Sequence, residues 1–163
     1  MKILLSILIS LTSSGLIEAQ VKLNDGDLAP EFKKTSAIGT SIELYQMSSQ
    51  LILLDFWAGW CKPCIKTITS TLNPIYIKYD REQLEIIGIS YDKSESKWLK
   101  AIDKFDVPWI HIYDGDNNEI LEMYGVQIIP TYYLIDSNNK IVGSNILSSE
   151  LEAKVEEYFN QKE

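Results

Sequence analysis

An α/β domain with a central mixed β-sheet and helices on both of its faces is the fold class this chain predicts. Three observations carry that expectation. Two nearly unbroken apolar runs, residues 51–56 and 84–90, have the length and composition of central strands covered on both sides. Stretches with apolar residues at helical spacing follow each of them. The turn Asp136-Ser137-Asn138-Asn139 divides two alternating runs, 131–135 and 140–143, as in a hairpin. With 163 residues, 45% hydrophobic and 23% charged, the chain has room for one well-packed domain.

The amino terminus stands apart. Lys2 precedes the apolar run 3–11, then polar Thr12, Ser13, Ser14 and Gly15, then the small residue Ala19. This describes a secretory signal peptide over residues 1–19, cut after Ala19. A retained anchor is the alternative, but the apolar core is shorter than the roughly 20 residues a membrane span needs. The folded domain is expected over 20–163. Its lead-in, 20–50, holds a weak strand near 41–44. The strand at 51–56 feeds a helix bearing Ile65, Ile68, Leu72, Ile75 and Tyr79, kinked at Pro74. After the strand at 84–90, Ser94 is a candidate cap for a helix with Trp98, Ile102 and Phe105 on one face. A short strand at 109–113 and a short helix at 119–124 lead to the hairpin. Ser149 and Glu152 form a candidate capping box for a last helix carrying Leu151, Val155, Tyr158 and Phe159.

The net charge is −8, and it stays −8 without residues 1–19, because Lys2 and Glu18 leave together. Such a surface repels phosphate backbones, so nucleic acid is not an expected partner.

Cys61 and Cys64 are the only cysteines, and they stand where the strand at 51–56 gives way to a helix. A helix N-terminus carries partial positive charge and free N–H groups, which stabilise a thiolate and speed thiol–disulfide exchange. A zinc site would need two more ligands, and beyond this pair the chain offers one histidine, His111, and no cysteine. No metal or other cofactor is expected. Cys61 is expected to be the exposed attacking thiolate and Cys64, one turn further, the buried resolving thiol. Pro63 suits a first helical turn. Lys62 is placed to tune the Cys61 thiolate, a fully solvated side chain being the alternative. Asp55 is an acid within an apolar strand. Burial would raise its pKa and suit it to take the Cys64 proton, whereas an edge position would leave it in water. Trp60, next to Cys61, is expected on the substrate-binding surface and Trp57 in the core.

Leu54-Asp55-Phe56-Trp57-Ala58, running into Trp60-Cys61-Lys62-Pro63-Cys64, resembles the active-site signature of the thioredoxin superfamily. Gly125-Val126-Gln127-Ile128-Ile129-Pro130-Thr131 resembles its second landmark, a loop whose proline is cis and faces the cysteines. The resemblance implies that Pro130 is cis and that the Ile129 backbone pairs with an incoming extended peptide. The Gly-Asp-x-Ala-Pro-x-Phe pattern at 26–32 resembles the exported TlpA/ResA-like branch. So does the long stretch that includes Tyr91, Lys97, Trp98 and Trp109, which matches that branch's inserted helix and strand. The branch often carries glutamate three residues after the second cysteine, where this chain has Thr67. Asp55 matches the buried aspartate of thioredoxin itself.

The resemblance covers residues 26–160 and implies a thioredoxin fold and a thiol–disulfide oxidoreductase. Such a protein would be exported to the periplasm or the outer face of the cytoplasmic membrane and act there as a monomer. It would reduce disulfides in exported proteins bearing cysteine pairs and draw electrons from a membrane or periplasmic donor. The competing class is non-catalytic: a copper metallochaperone, with His111 joining the cysteines, or a redox-inert adaptor.

Overall fold

The computed structural model describes residues 22–161, so the segment read as a signal peptide lies outside the described residues. Strand β1 is Lys33–Thr35, β2 Ser41–Glu43, β3 Leu51–Trp57, β4 Leu84–Ser90, β5 Ile110–Tyr113, β6 Thr131–Asp136 and β7 Ile141–Ile146. The five-stranded sheet has the order β5-β4-β3-β6-β7. Strand β3 runs parallel to β4, and β4 to β5, while β6 is antiparallel to both β3 and β7. This is the mixed sheet expected. β3 takes its centre, and every side chain of that strand is buried. The separate β1–β2 ribbon was only half legible. Lys33-Lys34-Thr35 carries no apolar pattern, and pairing with β2 alone makes it a strand.

Side chains alternate across a strand. Leu51, Leu53 and Trp57 therefore join one buried cluster, with Cys64, Ile75, Trp98, Leu151 and Val155. Ile52, Leu54 and Phe56 join the other, with Phe32, Ile120 and Leu121. Helices α1 (Lys62–Thr67), α2 (Asn73–Lys78), α3 (Glu95–Phe105) and α5 (Leu151–Asn160) supply the first cluster. Helix α4 (Glu119–Met123) and the lead-in supply the second. The same alternation puts Asp55 on the face that carries Cys64. No helix among the described residues is long and apolar enough to cross a membrane.

One local expectation takes a specific form and two are corrected. The kink at Pro74 takes the form of a π turn at Ile68–Leu72, between α1 and α2, where the Asn73 N–H donates to the Ile68 carbonyl five residues back. Pro74 has no N–H to offer, and one wide turn ahead of it absorbs the mismatch. Ser94 occupies the N-cap of α3, but its hydroxyl lies 3.2 Å from that of Ser96 and makes no capping bond. The box of Ser149 and Glu152 does not form. Glu150 precedes α5 with a helical backbone (φ −104°, ψ −12°), so the extended geometry a capping side chain needs is missing. Helix α4 is capped from outside instead, by Asp114, whose carboxylate accepts from the Ile120 (2.8 Å) and Leu121 (3.1 Å) N–H groups.

Candidate active site

The apolar run of β3 ends at the cysteine motif, and α1 begins inside it. Cys61 is the N-cap of α1 and Pro63 lies in its first turn. The Cys61 sulfur accepts the Cys64 N–H at 3.2 Å, so the open end of the helix points at this sulfur. The two residues form a disulfide, with Cα atoms 5.2 Å apart. Cys64 is 0% exposed and Cys61 only 4%. The expected exposed Cys61 is thus corrected for this oxidised form, in which the sulfur folds back over the helix end to reach its partner. The order of access survives, since Cys61 alone of the two shows any surface.

Asp55 is 1% exposed on the central strand, which removes the solvent-facing alternative. Both its carboxylate oxygens lack a hydrogen-bond partner. Burial pushes its pKa up to about 8. Its register partner on β6 is Tyr132, also fully buried. Burial first, and then the Asp55 charge, raise the pKa of the Tyr132 hydroxyl. That hydroxyl makes no hydrogen bond of regular geometry, yet the Thr67 and Ser148 hydroxyls lie near enough to favour its ionised form. Thr67 in turn bonds back to the Pro63 carbonyl at 3.2 Å and shares a hydrogen bond with Ser148 at 3.1 Å. Where many relatives of the resembled branch place a glutamate, this chain thus has a cluster of hydroxyls. Tyr132 and Ser148 were not foreseen, because the register of β6 against β3 cannot be read from either strand alone.

His111 sits on β5 opposite Gly88 of β4, its ring 5.5 Å from that of Trp57 and 5.9 Å from that of Trp109. A Cβ on Gly88 would lie 2.6 Å from His111 Nδ1, so the imidazole occupies the space a side chain there would need. Burial lowers its pKa to about 4, leaving it neutral. Among the described residues no three His, Cys, Asp or Glu side chains converge as a metal site would need.

At the surface, Trp60 is 61% exposed, with its ring 6.4 Å from that of Tyr91. Lys62 and Pro63 are exposed. The Ile129–Pro130 peptide is cis, and Ile129 packs against the cluster containing both cysteines. Ile128 beside it is 77% exposed, an apolar side chain that no pattern in the chain singles out. The Cys61 loop is clamped to α3. The buried Asp92 carboxylate accepts from the Gly59 N–H (2.9 Å) and the Ser90 hydroxyl (3.0 Å). A Cβ on Gly59 would come within 2.5 Å of Ala101 Cβ. Gly59→Ala is therefore expected to push α3 off the loop and to cost about 1–3 kcal/mol in denaturant titrations. An unchanged midpoint would show that the contact gives way freely.

This arrangement suits two successive exchanges. A Cys61 thiolate attacks a disulfide and expels one of its sulfurs. Cys64 then attacks the Cys61 sulfur of the mixed disulfide, expels the second sulfur and restores the Cys61–Cys64 bond. Two electrons pass to the other molecule, and the reverse sequence returns them.

A family model described as thioredoxin-like matches residues 49–141. The chain is 31% identical over 147 residues to a thiol-disulfide oxidoreductase ResA from Bacillus cereus, covering 90% of this chain and 83% of that protein. Among solved structures, it is similar to the thioredoxin domain of a thiol-disulfide oxidoreductase from Bacteroides vulgatus. There the TM-score is 0.74 and the identity 28%, over 84% of this chain and 99% of that one. A thiol-disulfide oxidoreductase from Bacteroides fragilis aligns with a TM-score of 0.69 at 27% identity, over 81% and 99% of the two chains.

Proposed function

Because the chain belongs to the thioredoxin-like family of thiol–disulfide oxidoreductases, with Cys61 and Cys64 as its redox pair, we propose that it is an exported reductase of cysteine pairs in other exported proteins. Cys61 attacks, Cys64 resolves, and Asp55 takes the Cys64 proton. Trp60, Ile129 and Pro130 form the docking surface, the Ile129 backbone pairing with an extended client. A donor in the membrane or the periplasm recharges the pair, and the protein works as a monomer. The pattern of residues 1–19 supports export.

The observation that carries the reducing direction is the surroundings of Cys64. It is fully buried, on the sheet face that also holds the unpartnered Asp55 carboxyl. A negative charge on that sulfur gains little there, so its surroundings add nothing to the stability of the dithiol and favour the disulfide, which supports donation of electrons. Equilibration against redox buffers tests this. A potential near about −270 mV fits a reductant, whereas one near about −120 mV would make the protein an oxidant and overturn the proposed direction.

A further inference from the structure

The cations of this acidic protein are not evenly placed. Lys33, Lys34, Lys78, Arg81 and Lys154 each pair with a carboxylate away from the cysteine motif. Lys140 donates to the Gly26 carbonyl. Among the described residues, Lys62 and Lys66 on α1, Lys93 just ahead of α3, and Lys97, Lys100 and Lys104 on α3 form no ion pair. Lys22, at the start of the described chain, is the one other cation without a partner. Six unpaired lysines thus lie in the two segments that follow the ends of β3 and β4, within a chain of net charge −8.

Three of them line one groove. Lys97, Lys100 and Lys104 recur at helical spacing along α3, and a cleft of about 300 Å³ runs between them and Gly59, Trp60, Ala101 and Phe105. The indole of Trp60 borders this cleft, and Cys61 is the next residue in the chain. The acid that lines it, Asp92, is 4% exposed and already engaged by the Gly59 N–H and the Ser90 hydroxyl. Glu95, Asp103 and Asp106 do not line it. The cleft therefore offers three ammonium groups outside any ion pair, that of Lys104 lying 5.0 Å from the centroid of the Phe105 ring, and two aromatic residues, Trp60 and Phe105, on a loop and a helix that border the cysteine motif.

We propose that this groove binds an extended client segment whose cysteine is flanked by aspartate or glutamate, so that charge selects the disulfide presented to Cys61. This rests on the proposed docking of clients at the Cys61 face and adds the class of client. Opposite charges steer encounter and fix register more than they deepen affinity, so the effect belongs in the rate of the first exchange. A flat basic face would suit an anionic lipid surface. Three lysines along one helix, with Trp60 and Phe105 between and beside them and Cys61 the residue after Trp60, suit a peptide that carries its own cysteine.

The test uses the reduced protein and disulfide-linked dimers of one peptide, its cysteine flanked by glutamates, serines or lysines. At low salt the glutamate peptide is expected to react about tenfold faster than the lysine peptide. In about 1 M salt, where screening acts within roughly 3 Å, that preference collapses. The K97E/K100E/K104E variant inverts the preference, and K97Q/K100Q/K104Q abolishes it, while the serine peptide and the reduction potential stay unchanged. Equal rates for the glutamate and lysine peptides in the wild type overturn the proposal, as does a preference that persists in both variants. So does lysine-dependent binding to vesicles containing phosphatidylglycerol without peptide discrimination, which would assign the lysines to a membrane. A potential that marks the protein as an oxidant would sink the proposed direction of electron flow but leave the peptide preference measurable, because the same first contact serves both directions.

Discussion

Cys64→Ser is expected to turn a passing intermediate into a stable product. Cys61 still opens the client disulfide, but no thiol follows to expel the client, so mixed disulfides build up and survive non-reducing gels. Cys61→Ser is expected to trap almost nothing, since its remaining sulfur is 0% exposed at the start. Turnover in either variant should fall by a factor on the order of 10³ or more, as when a group acting in a unit is removed. Comparable trapping by both variants would mean that the two sulfurs are reached equally and that the assigned order of attack is wrong.

The second large effect is expected at Asp55, and it depends on pH. The unfolded chain loses this proton near pH 4, at the ordinary aspartate value of about 3.9. The folded protein holds it until about pH 8. Between those limits the folded state binds the extra proton, so stability falls as pH rises, and above pH 8 the loss is complete. Each pH unit within the window is worth at most about 1.4 kcal/mol. Asp55→Asn removes this dependence. Relative to the wild type it should gain nothing on passing to lower pH below 4, and gain a few kcal/mol between pH 4 and pH 8. Its exchange rate should drop most where Cys64 must surrender a proton. Denaturant titrations across this range, with rates measured in parallel, check both halves. Stability curves that stay parallel would show the acid ionised in the fold, and an unchanged rate would end its proposed role as proton acceptor.

The sequence disclosed those parts of the molecule whose cause is local. β3 and β4 were legible because strands buried on both faces need unbroken apolar runs, and β4 lies at 84–90 as expected. The cysteine pair was legible because a strand, two sulfurs and a helix start are contiguous. What stayed hidden depends on pairing across long sequence distance. β1 is a strand only through β2, and Tyr132 meets Asp55 only through the β3–β6 register. Ser148 comes to Thr67 from 81 residues away. The caps failed for the opposite reason. Ser149 and Glu152 have the right spacing, but the chain is already helical at Glu150, and spacing alone cannot report that. The spacing of Lys97, Lys100 and Lys104 along α3 carries no sign that the loop bearing Trp60 lies beside them, because that loop comes from the end of β3.

The clamp between Gly59 and α3 bears on how such a protein can change its clientele. The loop that leads to Cys61 is tied to the β4–α3 connection by the Asp92 carboxylate and lies against α3 at Ala101. Helix and loop are thereby held in one frame, so the lysines of α3 keep a fixed place relative to the loop that ends at Cys61. Residues facing water on α3 then lie outside the chemistry, while Asp92, Ala101 and Gly59 hold the alignment. If α3 selects clients as proposed, substitutions along its solvent-facing stripe change the client class while the cysteine pair, held on β3 and α1, keeps its chemistry.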